Sequence, residues 1–260
     1  MLKILKYSFF DLIRSRWSII YFLFYFVTGM VLLYLSNDVS KAIVSLMNIT
    51  FILTPLIGTI FGVMNFYNSR EFIELLLAQP IPRKRIFLGM FLGISLSLSL
   101  SLLLGMGLPF VIYGVFFSSS VSSLLMLLLS GIFLTCIFTA LSFYIALINE
   151  NRLKGFGMAI LVWLFLAFIY DGIFLLSLLL LQEYPIEKFA IGMSLFNPID
   201  LSRILIMLKL DISALMGYTG AVFNKFFGNN TGMLISISAL ATWTIVPVLL
   251  ILKKSFKKDF

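Results

Sequence analysis

Six stretches of this chain are almost continuously apolar: residues 17–35, 42–64, 86–113, 121–148, 156–181 and 233–252. A hydrocarbon core of about 30 Å takes about 20 residues of α-helix to cross, so each stretch is long enough to span. None carries more than one fixed charge. Only helices and closed barrels satisfy the backbone in lipid, and runs without strict alternation exclude the barrel. The pattern predicts an all-α membrane protein with six transmembrane helices in a single domain, residues 1–260.

The polar positions between the runs are unevenly charged. Lys3, Lys6, Arg14 and Arg16 precede the first run, and Arg70, Arg83, Lys84 and Arg85 follow the second. Arg152 and Lys154 follow the fourth, and Lys253, Lys254, Lys257 and Lys258 follow the sixth. The alternate segments hold only Lys41, Lys188, Arg203, Lys209 and Lys225. Short loops rich in Lys and Arg stay inside, which predicts both termini in the cytoplasm of a bacterial inner membrane. The charged leader has no small-residue cleavage site after its apolar run, so the first helix is expected to be retained.

Three segments are neither plain span nor plain loop. In residues 1–16, Leu2, Leu5, Phe9, Leu12 and Ile13 share a face at helical spacing, with the basic residues opposite. That predicts an amphipathic helix in the inner interface, in contact with membrane lipid.

The second segment, residues 67–85, joins spans two and three. Asn68 followed by Glu71 reads as a capping box, with Phe72, Leu75, Leu76 and Gln79 on one face. Pro80 and Pro82 stop the helix. A short cytoplasmic helix this apolar needs cover, from its own membrane domain or from a partner.

The third is the long outer segment, residues 182–232. Asn197 and Pro198 start a helix with Asp200 in its first turn. Leu201, Ile204, Leu205, Leu208 and Ile212 form an apolar stripe, with Arg203, Lys209 and Asp211 on the other side. The stretch 214–223 is too short to span and suits an interfacial or re-entrant element. Asn197, Asp200, Arg203, Lys209 and Asp211 are the candidate contacts for a periplasmic partner. A passive cap on a dimer fits the same pattern.

Composition changes the picture mainly by exclusion. The net charge of +8 sits at membrane borders, so it does not indicate nucleic acid. There is no His and one Cys, Cys136, which rules out HExxH zinc sites and Ser–His–Asp or Cys–His nucleophiles. No P-loop motif occurs. The 12 Met are scattered singly, as gap-filling core residues are. No metal site and no catalytic residue is therefore assigned. Asp171 is the one acid near the middle of a span. Such a carboxylate faces a cavity or a partner; a gating or path-lining role and a neutral packing role both fit. Gly58–Gly62 and Gly89–Gly93 are GxxxG pairs that permit close helix approach.

The run Glu71-Phe72-Ile73-Glu74-Leu75-Leu76-Leu77-Ala78-Gln79-Pro80-Ile81-Pro82-Arg83, placed after the second span, resembles the coupling helix of ABC type-2 permeases. The amphipathic leader, six spans and long outer segment match the same plan. The resemblance implies a permease subunit without enzymatic activity, working as a pair of copies. It also implies a separate cytoplasmic ATPase, which binds the ATP and Mg and docks on Glu71, Phe72, Glu74, Leu75, Leu76, Gln79 and Pro80. No cofactor is expected on this chain.

The NPxDxxR start at Asn197 and the run Ala214-Leu215-Met216-Gly217-Tyr218-Thr219-Gly220-Ala221 resemble, more narrowly, the NosY-type permease of the nitrous oxide reductase maturation transporter. That type implies a NosD-like β-helix partner in the periplasm and support of copper-centre assembly. Without clustered Cys, His or paired Met, movement of a sulfur-containing species or of force suits these residues better than a copper relay. A general type-2 exporter of drugs or lipids is the alternative. An intramembrane enzyme would need clustered Asp, Glu or His in the spans, and a passive scaffold would need no ATPase.

Overall fold

Helices account for every regular element among the described residues, which in this computed structural model are 1–36, 38–115, 120–181, 187–210 and 230–257. The helices are α1 (Leu2–Ile13), α2 (Arg16–Leu35), α3 (Val39–Asn68), α4 (Arg70–Leu77), α5 (Arg83–Ile112), α6 (Val121–Ile148) and α7 (Arg152–Leu164). A π-helical segment, Phe165–Ile169, joins α7 to α8 (Tyr170–Leu180). Then come α9 (Glu187–Leu195), α10 (Pro198–Lys209) and α11 (Asn230–Lys257). Six of these units are long and apolar enough to cross a membrane: α2, α3, α5, α6, α7 with α8, and α11.

Burial sorts the spans. In their most apolar windows, 72% of α5 and 67% of α6 are buried, against 22% of α7–α8 and of α11. Helices α3, α5 and α6 thus form the centre, and α2, α7–α8 and α11 the outside. The centre closes tightly because small residues replace bulk. A Cβ at Gly62 of α3 would collide with the Ser142 side chain of α6, and Ser142 Oγ donates to the Gly58 carbonyl at 3.4 Å. Hydroxyl pairs fasten α2 to this centre: Tyr25 with Thr54 of α3, and Ser18 with Ser101 of α5, both at 2.8 Å. In lipid such bonds contribute roughly 0.6 kcal/mol each, so they select the packing more than they power it.

The second GxxxG pair seats α1. A Cβ at Gly93 would lie 2.6 Å from Ser8 Cβ and 3.0 Å from the Leu5 carbonyl oxygen, so α1 lies directly on α5. Its buried stripe is Ile4, Ser8 and Leu12. This differs from the expected apolar face: Leu2 is exposed, and the small Ser8 is buried. Close approach to glycine favours a small residue over a large apolar one at that contact.

Helices α9 and α10 meet at 113° around Asn197. Ile199, Leu201, Ile204, Leu205 and Ile206 of α10 are all buried. They pack on α6, α11 and α3. Leu201, Ile204 and Leu205 of the outer segment's apolar stripe are thus covered by the chain's own spans, while the Leu208 side chain and Ile212 lie outside the described residues. Residues 211–229, including the stretch 214–223, lie outside the described residues.

Candidate functional site

Two groups of residues stand apart from plain packing. The first is at the end of the bundle where α1, the α3–α4–α5 connection and the α6–α7 turn come together, called here the basic face. Helix α3 runs through Asn68, and Ser69 alone separates it from α4. The expected capping box does not form: no side chain caps α4, because Asn68 is still inside α3. The connection is nearly continuous, with Ser69 N–H donating to the Asn65 carbonyl and Ile73 N–H to the Ser69 carbonyl, both at 2.9 Å.

Helix α4 buries Ile73 and Leu76 and half-buries Phe72. Phe72 lies against Tyr7 of α1, ring centroids 4.8 Å apart. Glu71, Glu74, Leu75, Ala78 and Gln79 are exposed, with Pro80 just beyond. The first five recur at helical spacing, so they make one outward stripe, and Leu75 is 67% exposed within it. The expected grouping of Leu75 and Gln79 with Leu76 is corrected: Ile73 is the residue that joins Leu76 in the core, and Leu75 turns outward. Glu74 pairs with Arg70 at 3.1 Å.

Tyr67, one turn before α4, was not singled out in the sequence. Its hydroxyl donates to the Asn149 carbonyl at 2.8 Å and lies 3.3 Å from that of Asn151. Asn151 in turn caps α7, accepting from Leu153 N–H and Lys154 N–H. The root of α4 is therefore tied to the start of α7. A lone Tyr at a span end gives no sequence signal for such a tie.

The second group surrounds Asp171, roughly 28 Å of helix beyond Arg152. Arg203 Nη1 reaches Asp171 Oδ2 at 2.9 Å and Asp200 Oδ1 at 3.3 Å. Asn197 caps α10, its Oδ1 accepting from Ile199 N–H at 3.1 Å. Its Nδ2 donates to Asp200 Oδ2 at 2.7 Å and to the Leu166 carbonyl at 2.9 Å. Leu166 belongs to the π segment. There Tyr170 N–H donates to Phe165, five residues back, where an α-helix would use Leu166, four back. The π turn thus frees the carbonyl that Asn197 takes. Tyr170 OH donates to the Met193 carbonyl at 2.7 Å, and Trp243 Nε1 of α11 to that of Leu195 at 3.1 Å.

These contacts correct the outward-facing expectation for Asn197, Asp200 and Arg203. Asn197 and Asp200 are buried, and Arg203 turns to Asp171, leaving about a quarter of its side chain exposed. Charges packed into an apolar bundle pair with one another rather than face the outer side. Asp171 is ion-paired, which neither sequence reading of it included. The Lys209 side chain and Asp211 lie outside the described residues.

Six bundled helices long and apolar enough to span, with a short helix bearing an exposed stripe between the second and third, define an all-α multi-pass membrane protein. A family model described as ABC-2 family transporter protein matches residues 36–259. The chain belongs to the ABC-2 transporter family, as its transmembrane permease component, and membership implies an ATPase partner. The matched region begins at the end of α2, so α1 and α2 stand on the fold alone. A comparison with curated proteins finds no match.

Proposed function

We propose that α4 is the docking helix for a separate cytoplasmic ATPase, which binds ATP and Mg, and that α1 braces it. The observation that carries this reading is the exposed stripe of Glu71, Glu74, Leu75 and Gln79 on a helix whose other face is anchored by Ile73 and Leu76. The stripe is acidic and apolar beside basic clusters, which gives a partner a distinct surface. In this reading the basic face lies on the cytoplasmic side of a bacterial inner membrane, which the charge asymmetry supports.

In this reading the permease does no covalent chemistry. Closure of two ATPases moves α4, and Tyr67 passes the displacement to α7 through Asn149 and Asn151. The π segment and the Asp171–Arg203 pair are where α7–α8 is fastened to the bent pair α9–α10. A packed bundle of this kind shifts between discrete arrangements rather than deforming continuously. Two copies of the chain form the path, joined through outer spans whose apolar faces this single chain leaves open.

The test is co-purification from membranes. Glu71→Arg with Glu74→Arg keeps the buried face of α4 and reverses its exposed charge. Loss of the ATPase with normal membrane insertion is the expected result; undiminished association removes the docking assignment.

The narrower NosY-type reading rests on the run from Asn197 to Arg203 and on the sequence 214–221. It adds a NosD-like periplasmic partner and a role in copper-centre assembly of nitrous oxide reductase. With no His and a single Cys, movement of a sulfur species or of force fits better than metal transfer along this chain. A general exporter of drugs or lipids is the second reading. Cross-linking from the outer end of α9 in intact cells separates them: capture of a β-helix protein supports the first, capture of only a second copy the second.

A further inference from the structure

Three ionisable side chains from α8 and α10 meet, and their charges do not balance. One nitrogen of Arg203, Nη1, serves both Asp171 Oδ2 at 2.9 Å and Asp200 Oδ1 at 3.3 Å. Two carboxylates against one guanidinium leave a negative charge in excess. Asp200 is the less well served of the two. Its contact with Arg203 is the longer, and its side chain is only 6% exposed. Asn197 Nδ2 donates to its other oxygen at 2.7 Å but brings no charge.

The elements packed around the cluster supply no second cation among the described residues. Tyr170, next to Asp171, donates its hydroxyl proton to the Met193 carbonyl. Helices α3, α6, α9 and α11 pack on α10. Helix α6 has no charged residue, and α11 has none before Lys253. Lys41, near the start of α3, is exposed and forms no ion pair with a described residue. The Glu187 and Lys188 side chains of α9 lie outside the described residues.

A buried carboxylate without a counter-charge is relieved by taking up a proton. Asp200 lies on α10, which is none of the six spans. Burial, and then the Asp171 carboxylate, push the Asp200 carboxyl above the ordinary carboxylate range, against Arg203 and Asn197, which pull it down. One bound proton brings the charge of the cluster to zero. Asp171 and Arg203 are both partly exposed, which gives that proton a way in.

We propose that Asp171, Asp200 and Arg203 form a proton-binding site that fastens α10 to α8 when it is loaded. With the proton on Asp200, Arg203 pairs with Asp171 alone and bridges the two helices. When the proton leaves to water, two carboxylates repel each other and compete for Nη1, and the contact loosens beside the π segment. A carboxyl raised in the packed state holds its proton there and gives it up when α10 parts from α8. Packing is therefore tightest near the ordinary carboxylate range. It weakens as pH rises towards the raised value, by at most about tenfold per pH unit for one proton, and is level above it. The inference does not depend on which helix docks the ATPase.

The test is amide exchange of the full chain in lipid nanodiscs between pH 5.5 and pH 8.5, corrected for the intrinsic pH dependence of exchange. In the wild type, protection across residues 165–171 and 198–203 should fall at least about ten-fold over that range. Protection of α3 and α5 should stay level. Asp200→Asn keeps an acceptor for Asn197 and leaves one acid for one base, so its protection should be level throughout. Infrared difference spectra of the wild type over the same range should show the carbonyl stretch of one carboxylic acid disappearing as pH rises. Level protection in the wild type overturns the proposal. So does a wild-type spectrum without that band, or a pH dependence that survives in Asp200→Asn.

Discussion

Asn197 donates its side-chain amide to the carbonyl of Leu166 at 2.9 Å, and the π turn is what leaves that carbonyl open. One residue thereby caps α10, holds Asp200 and stitches the bent helix pair to the middle of a span. π segments are rare and frequently sit at functional positions. A span carrying one next to an ion pair has a place to change its winding.

Asn197→Ala should remove three bonds, taking the amide donor from Asp200 Oδ2 and from the Leu166 carbonyl and the cap from Ile199 N–H. A loss of about 1–3 kcal/mol is expected. Amide exchange should accelerate first across residues 165–171, ahead of any change in α3, α5 or α6. Uniform acceleration through the bundle would mean that Asn197 only supports global stability.

The Asp171–Arg203 pair is tested by exchange. Asp171→Asn and Arg203→Gln should each lower thermal stability, by roughly 2 kcal/mol, since each leaves a partly buried charge. The double change Asp171→Arg with Arg203→Asp should fail to restore it, because Asp200 would lose its i,i+3 pairing with Arg203 and meet an acid one turn along its own helix instead. Full recovery in the exchanged protein would show that the pair acts alone, without Asp200.

Gly93→Val should separate α1 from α5. The new side chain meets Ser8 Cβ and the Leu5 carbonyl, both backbone-near atoms that cannot swing away. Overpacking of this kind costs about 1–3 kcal/mol. Protease cleavage within residues 1–16 should rise, while Gly107→Val, where an added Cβ meets nothing within 4 Å among the described residues outside its own helical turn, serves as the silent control.

Tyr67→Phe should leave ATPase association intact and weaken its consequence. Only the hydroxyl that joins the root of α4 to the α6–α7 turn is lost, a net change of about 1 kcal/mol. Stimulation of ATP hydrolysis by the permease, or coupled transport, should fall several-fold at equal complex yield. Reduced association in pull-down would instead place Tyr67 in the docking surface itself.

The solubilised complex should contain two copies of this chain and two of the ATPase. Light scattering with in-line mass measurement distinguishes this from a one-to-one complex.

Runs of about 20 apolar residues and the side on which Lys and Arg collect are one-dimensional properties. The sequence alone therefore determined six helices, the short helix between the second and third, and the family plan that residues 36–259 match. It also determined that Gly58–Gly62 and Gly89–Gly93 allow close approach, because a missing Cβ needs no partner to be noticed. It did not determine which helix would use that space. Only the packed bundle put Ser142 against Gly62 and Ser8 against Gly93.

The rotation of α4 was decided in the same way. Phe72, Ile73, Leu75 and Leu76 are all apolar and fall within one and a half turns, so period alone leaves the buried pair undetermined. Contacts with α3 and α5 chose Ile73 and Leu76. The outer charges were read furthest from their place. Arg203 and Asp200 lie on a segment that composition assigns to the outside, and the carboxylate that draws Arg203 inward is 32 positions away. In lipid an unpaired charge is so costly that pairing distant in sequence overrides local amphipathic pattern, and such pairing exists only once the chain has folded.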